Sequence, residues 1–163
     1  MNTMRHARAA LLIGLVCGAA AATAQVNGRQ VAARTDAPSV AATSSVRSLY
    51  VVHCAGCHGR DGAGSAIGRV PDMRQLGRFL QLEGGRAFVV SVPGVMGSGL
   101  SDAQVAEVTN WVLATLAQAS VPQGHRPYDA AEVAQARAVP LVDVAAARAR
   151  LVAQARDKGI EIE

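Results

Sequence analysis

Large side chains are scarce in this chain, and their scarcity limits what it can fold into. Half of its 163 residues are hydrophobic, but only 3% are aromatic. The length suits one domain, the hydrophobicity argues against disorder throughout, and no sustained repeat predicts a collagen-like or coiled-coil chain. Because alanine and valine supply much of the apolar fraction and bury little surface each, we expect something other than the chain's own side chains to complete the core.

Residues 1–24 have the pattern of a secretory signal peptide. Arg5 and Arg8 give a positive start, residues 9–20 are largely apolar, and residues 22–24 (Ala-Thr-Ala) form a small-residue cleavage site. The apolar stretch is shorter than the roughly 20 residues that a membrane span needs. The pattern therefore favours export to the periplasm over a retained membrane anchor.

Cleavage would change both the charge and the cysteine content. Lys and Arg exceed Asp and Glu by four in the full chain, and loss of the two signal arginines would halve this excess. Cys54 and Cys57 would be the remaining cysteines. No cluster of basic residues interleaved with aromatic ones would remain, which argues against nucleic acid as a partner. Contact with a membrane is expected only if the signal segment is retained.

Composition divides the rest of the chain into three parts. Residues 25–44 are small, polar and without pattern, which is typical of a flexible arm. Residues 45–120 form the predicted domain, and residues 121–163 form a helical extension that wraps around the domain, meets a partner or lies in solvent. The expected fold class is all-α. Helices are predicted over residues 45–53, 73–82, 85–90, 102–117, 129–138 and 142–158, with capping boxes at Ser101/Gln104 and Asp129/Glu132 and an irregular loop over residues 93–99.

The most specific motif is Cys54-Ala55-Gly56-Cys57-His58. Its C-x-x-C-H pattern is the attachment signature of c-type haem, because two thiols add to the porphyrin vinyl groups and the adjacent histidine then lies under the iron. A thioredoxin-like site would need a surrounding βαβ pattern, which is not visible. A disulfide would close a very tight loop, and a zinc site would need further Cys or His ligands. We therefore expect one covalently attached haem c.

The residues around the motif extend it to C-x-x-C-H-G-x-x-G-x-G, with glycines at positions 59, 62 and 64. This segment resembles the haem-binding segment of monohaem class I cytochromes c, and the resemblance covers residues 45–118. It implies a small helical domain around one haem, in which Pro71 presents its carbonyl to His58 and Met96 binds the other face of the iron. It also implies that the first and last helices of the domain cross, with Tyr50 and Trp111 meeting there.

The iron ligands expected from this resemblance are His58 and Met96. A backbone carbonyl in a proline-stiffened loop suits the task of orienting an imidazole, which supports Pro71. Met73, which directly follows the Pro71 loop, is the alternative methionine, and His53 and His125 are fallback ligands expected to lie on the surface. Residues 94–97 (Gly-Val-Met-Gly) lack the Met-Pro pattern common in the family, so the bond from Met96 could be exchangeable.

These features predict an electron carrier rather than an enzyme. The protein would carry single electrons in the periplasm from a donor such as a dehydrogenase to another cytochrome or an oxidase. Two alternatives stay open: a haem subunit of a larger oxidoreductase, or a haem protein that reacts with peroxide or small ligands if Met96 is not a firm ligand. Pocket-lining residues are predicted among the apolar side chains that follow the motif: Val70, Leu76, Phe79, Leu80, Phe88, Val89, Val92 and Val95.

Overall fold

Helices make up the regular elements of residues 40–162, the part of the chain that the computed structural model describes. The predicted all-α class is therefore confirmed, and an isolated bridge between Ser65 and Val70 is the β-type pairing in this part. The predicted signal peptide and residues 25–39 of the predicted arm lie outside the described residues. The α-helices are α1 Val40–His53, α2 Ala55–His58, α3 Leu76–Phe79, α4 Gly85–Ser91, α5 Pro93–Met96, α6 Asp102–Thr115, α7 Ala130–Arg137 and α8 Val144–Asp157, and short 3₁₀ turns cover Met73–Gln75 and Gln118–Ser120.

The crossing of α1 and α6 joins the two ends of the predicted domain. Tyr50 is 1% exposed, and its ring lies 5.1 Å from that of Trp111 at an interplanar angle of 42°. This confirms the predicted meeting of the two aromatic residues. At the start of α6, Ser101 accepts a hydrogen bond from the Gln104 N–H, and the Gln104 side chain accepts one from the Ser101 N–H. The predicted capping box is therefore complete, and it fixes where α6 begins.

The helical extension packs against the domain rather than lying in solvent. Its apolar residues Tyr128, Val133, Leu151 and Ala155 are buried in the same core cluster as Tyr50 of α1. α7 contacts both α4 and α6, and α8 contacts α4. Of the arrangements left open by the sequence, packing of the extension against the domain is therefore the one that the structure has.

Three local predictions differ from the structure. Residues 40–44, predicted as part of the arm, belong to α1, because no glycine or proline interrupts the chain between Val40 and the predicted helix start. Residues 93–96, predicted as irregular, form the short α5, because Pro93 at its first turn has the backbone angle that a helix needs. The capping box at Asp129 is only half formed. The Asp129 side chain accepts from the Glu132 N–H, but the Glu132 carboxylate binds Arg86 instead.

The predicted helix over residues 73–82 is also shorter than expected. It consists of the 3₁₀ turn Met73–Gln75 followed by α3, and it stops at Phe79. Gly85 then packs directly against the Phe79 carbonyl, where a Cβ atom on Gly85 would lie far too close to that oxygen. The close approach turns the chain from α3 into α4, which a continuous helix over residues 73–82 would prevent. No described helix has both the length and the apolar character needed to cross a membrane.

Candidate functional site

The Cys54–His58 segment is a helical turn that continues directly from α1. The Cys54 N–H donates to the Tyr50 carbonyl (2.9 Å), and the N–H groups of Cys57 and His58 both donate to the Cys54 carbonyl (3.2 and 3.0 Å). Residues three apart in such a turn lie on the same side. The turn therefore presents the Cys54 and Cys57 thiols to one side, with His58 beside them.

Both thiols are free, so they form no disulfide with each other in the structure. Cys57 is exposed, whereas Cys54 is half-buried, and this burial raises the pKa of the Cys54 thiol. Burial disfavours the charged thiolate, which explains the direction of the shift. The two thiols thus differ in accessibility: Cys57 is exposed, and Cys54 packs against the apolar core.

The imidazole of His58 contacts the carbonyl of Pro71. Its Nδ1 atom lies 3.0 Å from the Pro71 oxygen. Because a carbonyl oxygen can only accept, Nδ1 carries the proton in this contact. In the neutral imidazole, Nε2 then keeps its lone pair and can bind a metal ion. The contact expected for Pro71 is therefore present, and it engages Nδ1 of His58 rather than Nε2.

The loop between His58 and Pro71 is held closed by backbone hydrogen bonds. The Gly64 N–H donates to the His58 carbonyl (2.9 Å), and Ser65 and Val70 exchange two hydrogen bonds of 2.9 Å each. The Tyr50 hydroxyl donates to the Gly59 carbonyl at 2.6 Å, which ties the start of the loop to α1. These contacts bring the carbonyl of Pro71, thirteen residues further along the chain, to Nδ1 of His58.

Gly64 lets the two ends of this loop approach closely. Its φ is +71°, a conformation that side-chain-bearing residues rarely adopt. A Cβ atom at this position would lie 2.3 Å from the Val70 oxygen and 2.6 Å from the Pro71 oxygen. Gly64 therefore lets the carbonyl of Pro71 reach His58. This glycine is the third of the G-x-x-G-x-G spacing, which was the available signal for its role in the sequence.

The other predicted ligand residues lie on separate elements. Met96 is half-buried at the end of α5, and its N–H donates to the Val92 carbonyl at 3.0 Å. Met73 follows the Pro71 loop, where its N–H donates to the Gly62 carbonyl at 2.8 Å. His53 is exposed, as predicted. The prediction that His125 is an ordinary surface residue is wrong, because it is half-buried beside Arg86.

The predicted pocket-lining residues fall into two groups. Phe79, Phe88 and Val89 are buried in the core, where the rings of Phe79 and Phe88 stack 5.6 Å apart. The other five are half-buried: Val70, Leu76, Leu80, Val92 and Val95. The buried group packs protein against protein, so an apolar ligand would contact the half-buried group instead.

A second cluster, which the sequence analysis missed, joins the extension to α4. Arg86 donates to both carboxylate oxygens of Glu132 (2.6 and 2.7 Å) and lies 4.1 Å from the centre of the Tyr128 ring. This hydrogen bond to Arg86 lowers the pKa of Glu132. Burial, together with the charge of Arg86, lowers the pKa of His125.

Asn110 holds the backbone of Tyr128 with one donated and one accepted hydrogen bond (2.9 and 2.8 Å). Arg86 and Glu132 are 46 residues apart, so no local pattern could indicate the pair.

The donors at the Cys54–His58 turn fit a covalently attached haem. They consist of two free thiols on one side of a helical turn and an imidazole whose Nδ1 is already bonded. No three His, Cys, Asp or Glu side chains among residues 40–162 form a group that could hold a metal ion by themselves. Comparison with models of known protein families finds no match to this chain, and the curated proteins contain no significant match to it.

Proposed function

We propose that this protein is a periplasmic monohaem c-type cytochrome that carries single electrons between redox partners. Residues 45–120 would be its cytochrome c-like domain, with thioether bonds from Cys54 and Cys57 and axial ligands from His58 and Met96. The observation that carries the proposal is the contact from His58 Nδ1 to the Pro71 carbonyl (3.0 Å) beside two free thiols. A histidine that binds a metal through one ring nitrogen commonly donates the N–H of the other to a backbone carbonyl in this way.

The chain's own residues orient the axial histidine. Pro71 accepts from Nδ1, which selects the tautomer that ligates through Nε2 and makes the imidazole a stronger donor. Gly64 and the Ser65–Val70 bridge hold the Pro71 carbonyl in place. When bound, haem would supply a one-electron couple between ferrous and ferric iron, and a thioether ligand from Met96 would raise its reduction potential.

Electron transfer of this kind requires no acid, base or nucleophile from the protein. The partners would be a donor such as a periplasmic dehydrogenase and an acceptor such as another cytochrome or an oxidase. Contacts between such redox partners are small and short-lived. We therefore propose that the protein is an electron carrier and not an enzyme.

Expression of the full chain together with a cytochrome c maturation system tests the proposal. The purified protein should be red, and its mass should exceed that of the cleaved chain by one haem. Cys54→Ala or Cys57→Ala should abolish double thioether attachment. Cys17→Ala is the matched control, because this cysteine belongs to the predicted signal segment and its loss should leave haem attachment unchanged. A colourless protein of unmodified mass would refute the proposal.

The assignment of Met96 has its own test. A methionine bound to ferric haem iron gives a near-infrared sulfur-to-iron charge-transfer band, which should be present in the oxidised protein and absent in Met96→Ala. The matched control is Met73→Leu, in which the band should persist. Survival of the band in Met96→Ala, or its loss in Met73→Leu, would show that the assignment of the sulfur ligand to Met96 is wrong. Rapid binding of carbon monoxide by the native reduced protein would indicate an open iron site instead.

A further inference from the structure

The segment of residues 92–99, which carries Met96, contains three glycines and one proline. It begins immediately after α4, whose last residue is Ser91, and it is followed by Leu100 and the start of α6. Val92 follows α4 and precedes α5, so a single residue joins these two helices, and residues 97–101 join α5 to α6. A glycine-rich segment of this kind has many accessible conformations unless its ends are fixed.

Two adjacent residues of α7 fix these two ends. Before the segment, the Ser91 hydroxyl donates to the Ala136 carbonyl at 3.0 Å, and Ser91 is 3% exposed. After the segment, Arg137 donates to the Leu100 carbonyl at 3.2 Å and to the Asp102 carboxylate at 2.6 Å. The last turn of α7 therefore bridges the start and the end of the segment.

The bridging contacts satisfy groups that would otherwise lack partners. The carbonyl of Ala136 lies in the last turn of α7, where no further helical N–H can reach it, and Ser91 supplies the missing donor. The Arg137 side chain is 17% exposed and the Asp102 side chain 38% exposed, so their ion pair is partly shielded from water. Charged hydrogen bonds in such surroundings are stronger than exposed ion pairs.

We infer that α7 is a positioning element for the distal haem ligand, with Arg137 and Ser91 as positioning residues that hold Met96 against the iron. This inference rests on the proposed function, in which Met96 is that ligand. α7 lies beyond residues 45–118, the part of the chain covered by the resemblance to cytochromes c. The extension would thus make a methionine outside the Met-Pro pattern into a firm ligand.

Imidazole titration of the oxidised holoprotein tests the inference, because added imidazole competes with the methionine for the iron. Loss of the near-infrared sulfur-to-iron band reports the displacement. Arg137→Gln should increase the apparent affinity for imidazole about tenfold, which corresponds to ~1.4 kcal/mol. Arg137→Lys, which keeps a donor and a charge, should restore part of the wild-type resistance. A purely structural role would lower the unfolding temperature without changing imidazole affinity in the folded protein.

Arg126→Gln is the matched control. It removes the same charge from the same extension, but its ion pairs with Asp129 and Glu132 involve a side chain that is 62% exposed. Imidazole affinity within twofold of wild type is expected for this variant. If Arg137→Gln does not fold, Ser91→Ala tests the other end of the segment and should increase imidazole affinity about threefold.

Affinities within twofold of wild type in folded Arg137→Gln, or in Ser91→Ala where Arg137→Gln is unfolded, would overturn the positioning role while leaving haem attachment and Met96 ligation intact. A wild-type protein that has covalent haem but no sulfur-to-iron band would show a different failure. In that case Met96 is not a ligand, and the inference falls together with that part of the proposed function.

Discussion

Replacing Gly64 with alanine would place a methyl group where two carbonyl oxygens already lie. The new Cβ atom would be 2.3 Å from the Val70 oxygen and 2.6 Å from the Pro71 oxygen, and both are backbone atoms that cannot rotate away. The φ of +71° adds a cost of about 1–2 kcal/mol for a residue with a side chain. Displacing the loop would also weaken the hydrogen bond from His58 to Pro71, at about 0.5–1.5 kcal/mol. Together these two costs give a loss of unfolding free energy of about 1.5–3.5 kcal/mol, to which the steric overlap adds.

Two measurements separate the steric effect from the effect on His58. Thermal unfolding of the holoprotein should occur roughly 10 °C lower in Gly64→Ala than in wild type. The reduction potential should rise, because an imidazole that has lost its Nδ1 hydrogen bond is a weaker donor and stabilises ferric iron less. Gly68→Ala is the matched control in the same loop. Its nearest contact, Val70 Cγ2 at 3.4 Å, is an ordinary van der Waals distance. Unfolding of Gly64→Ala within 2 °C of Gly68→Ala would refute the argument.

Two further predictions concern Tyr50 and His125. Tyr50→Phe removes the hydroxyl that donates to the Gly59 carbonyl at 2.6 Å but keeps the ring beside Trp111. Urea unfolding should therefore show a free energy of unfolding lower by about 1–2 kcal/mol. An unchanged unfolding midpoint would contradict this prediction. Burial and the charge of Arg86 lower the pKa of His125, so this imidazole binds a proton more readily in the unfolded chain than in the folded one. The contribution of neutral His125 to stability should therefore be complete above about pH 6.5 and decrease as the pH falls below it. His125→Gln should flatten the dependence of unfolding temperature on pH between about 7 and 5. A slope equal to that of the wild type would count against the assignment.

Features encoded by neighbouring residues could be predicted from the sequence. Ser101 and Gln104 indicate the start of α6 because both halves of a capping box lie within one helical turn. The Cys54–His58 turn could be placed after a helix because the apolar spacing of residues 45–53 predicts a helix that runs directly into the motif. The meeting of Tyr50 and Trp111 required more, since it came from the family resemblance and not from local pattern.

Features that depend on distant residues could not be predicted. Glu132 was expected to complete a cap on α7, but a bidentate bond to Arg86 is stronger than a single bond to a backbone N–H, and the sequence does not indicate that α4 lies within reach. The short α5 was missed because three glycines in residues 92–99 indicate a loop, whereas Pro93 favours a helical turn at its start.

The scarcity of large side chains is met in part by the extension itself. Tyr128, Val133 and Leu151 bury their side chains in the common core, so residues beyond position 120 supply apolar volume that the domain lacks. This volume lies beside α4 and α6, which the extension contacts. Met73, Leu76 and several neighbours stay half-buried at the edge of that core. The extension therefore accounts for one part of the core, and the proposed haem, attached through Cys54 and Cys57, would account for the other. The extension would then serve two purposes in a chain with few aromatic residues. α7 fills part of the core, and it also holds the two ends of the segment that carries Met96, the proposed iron ligand.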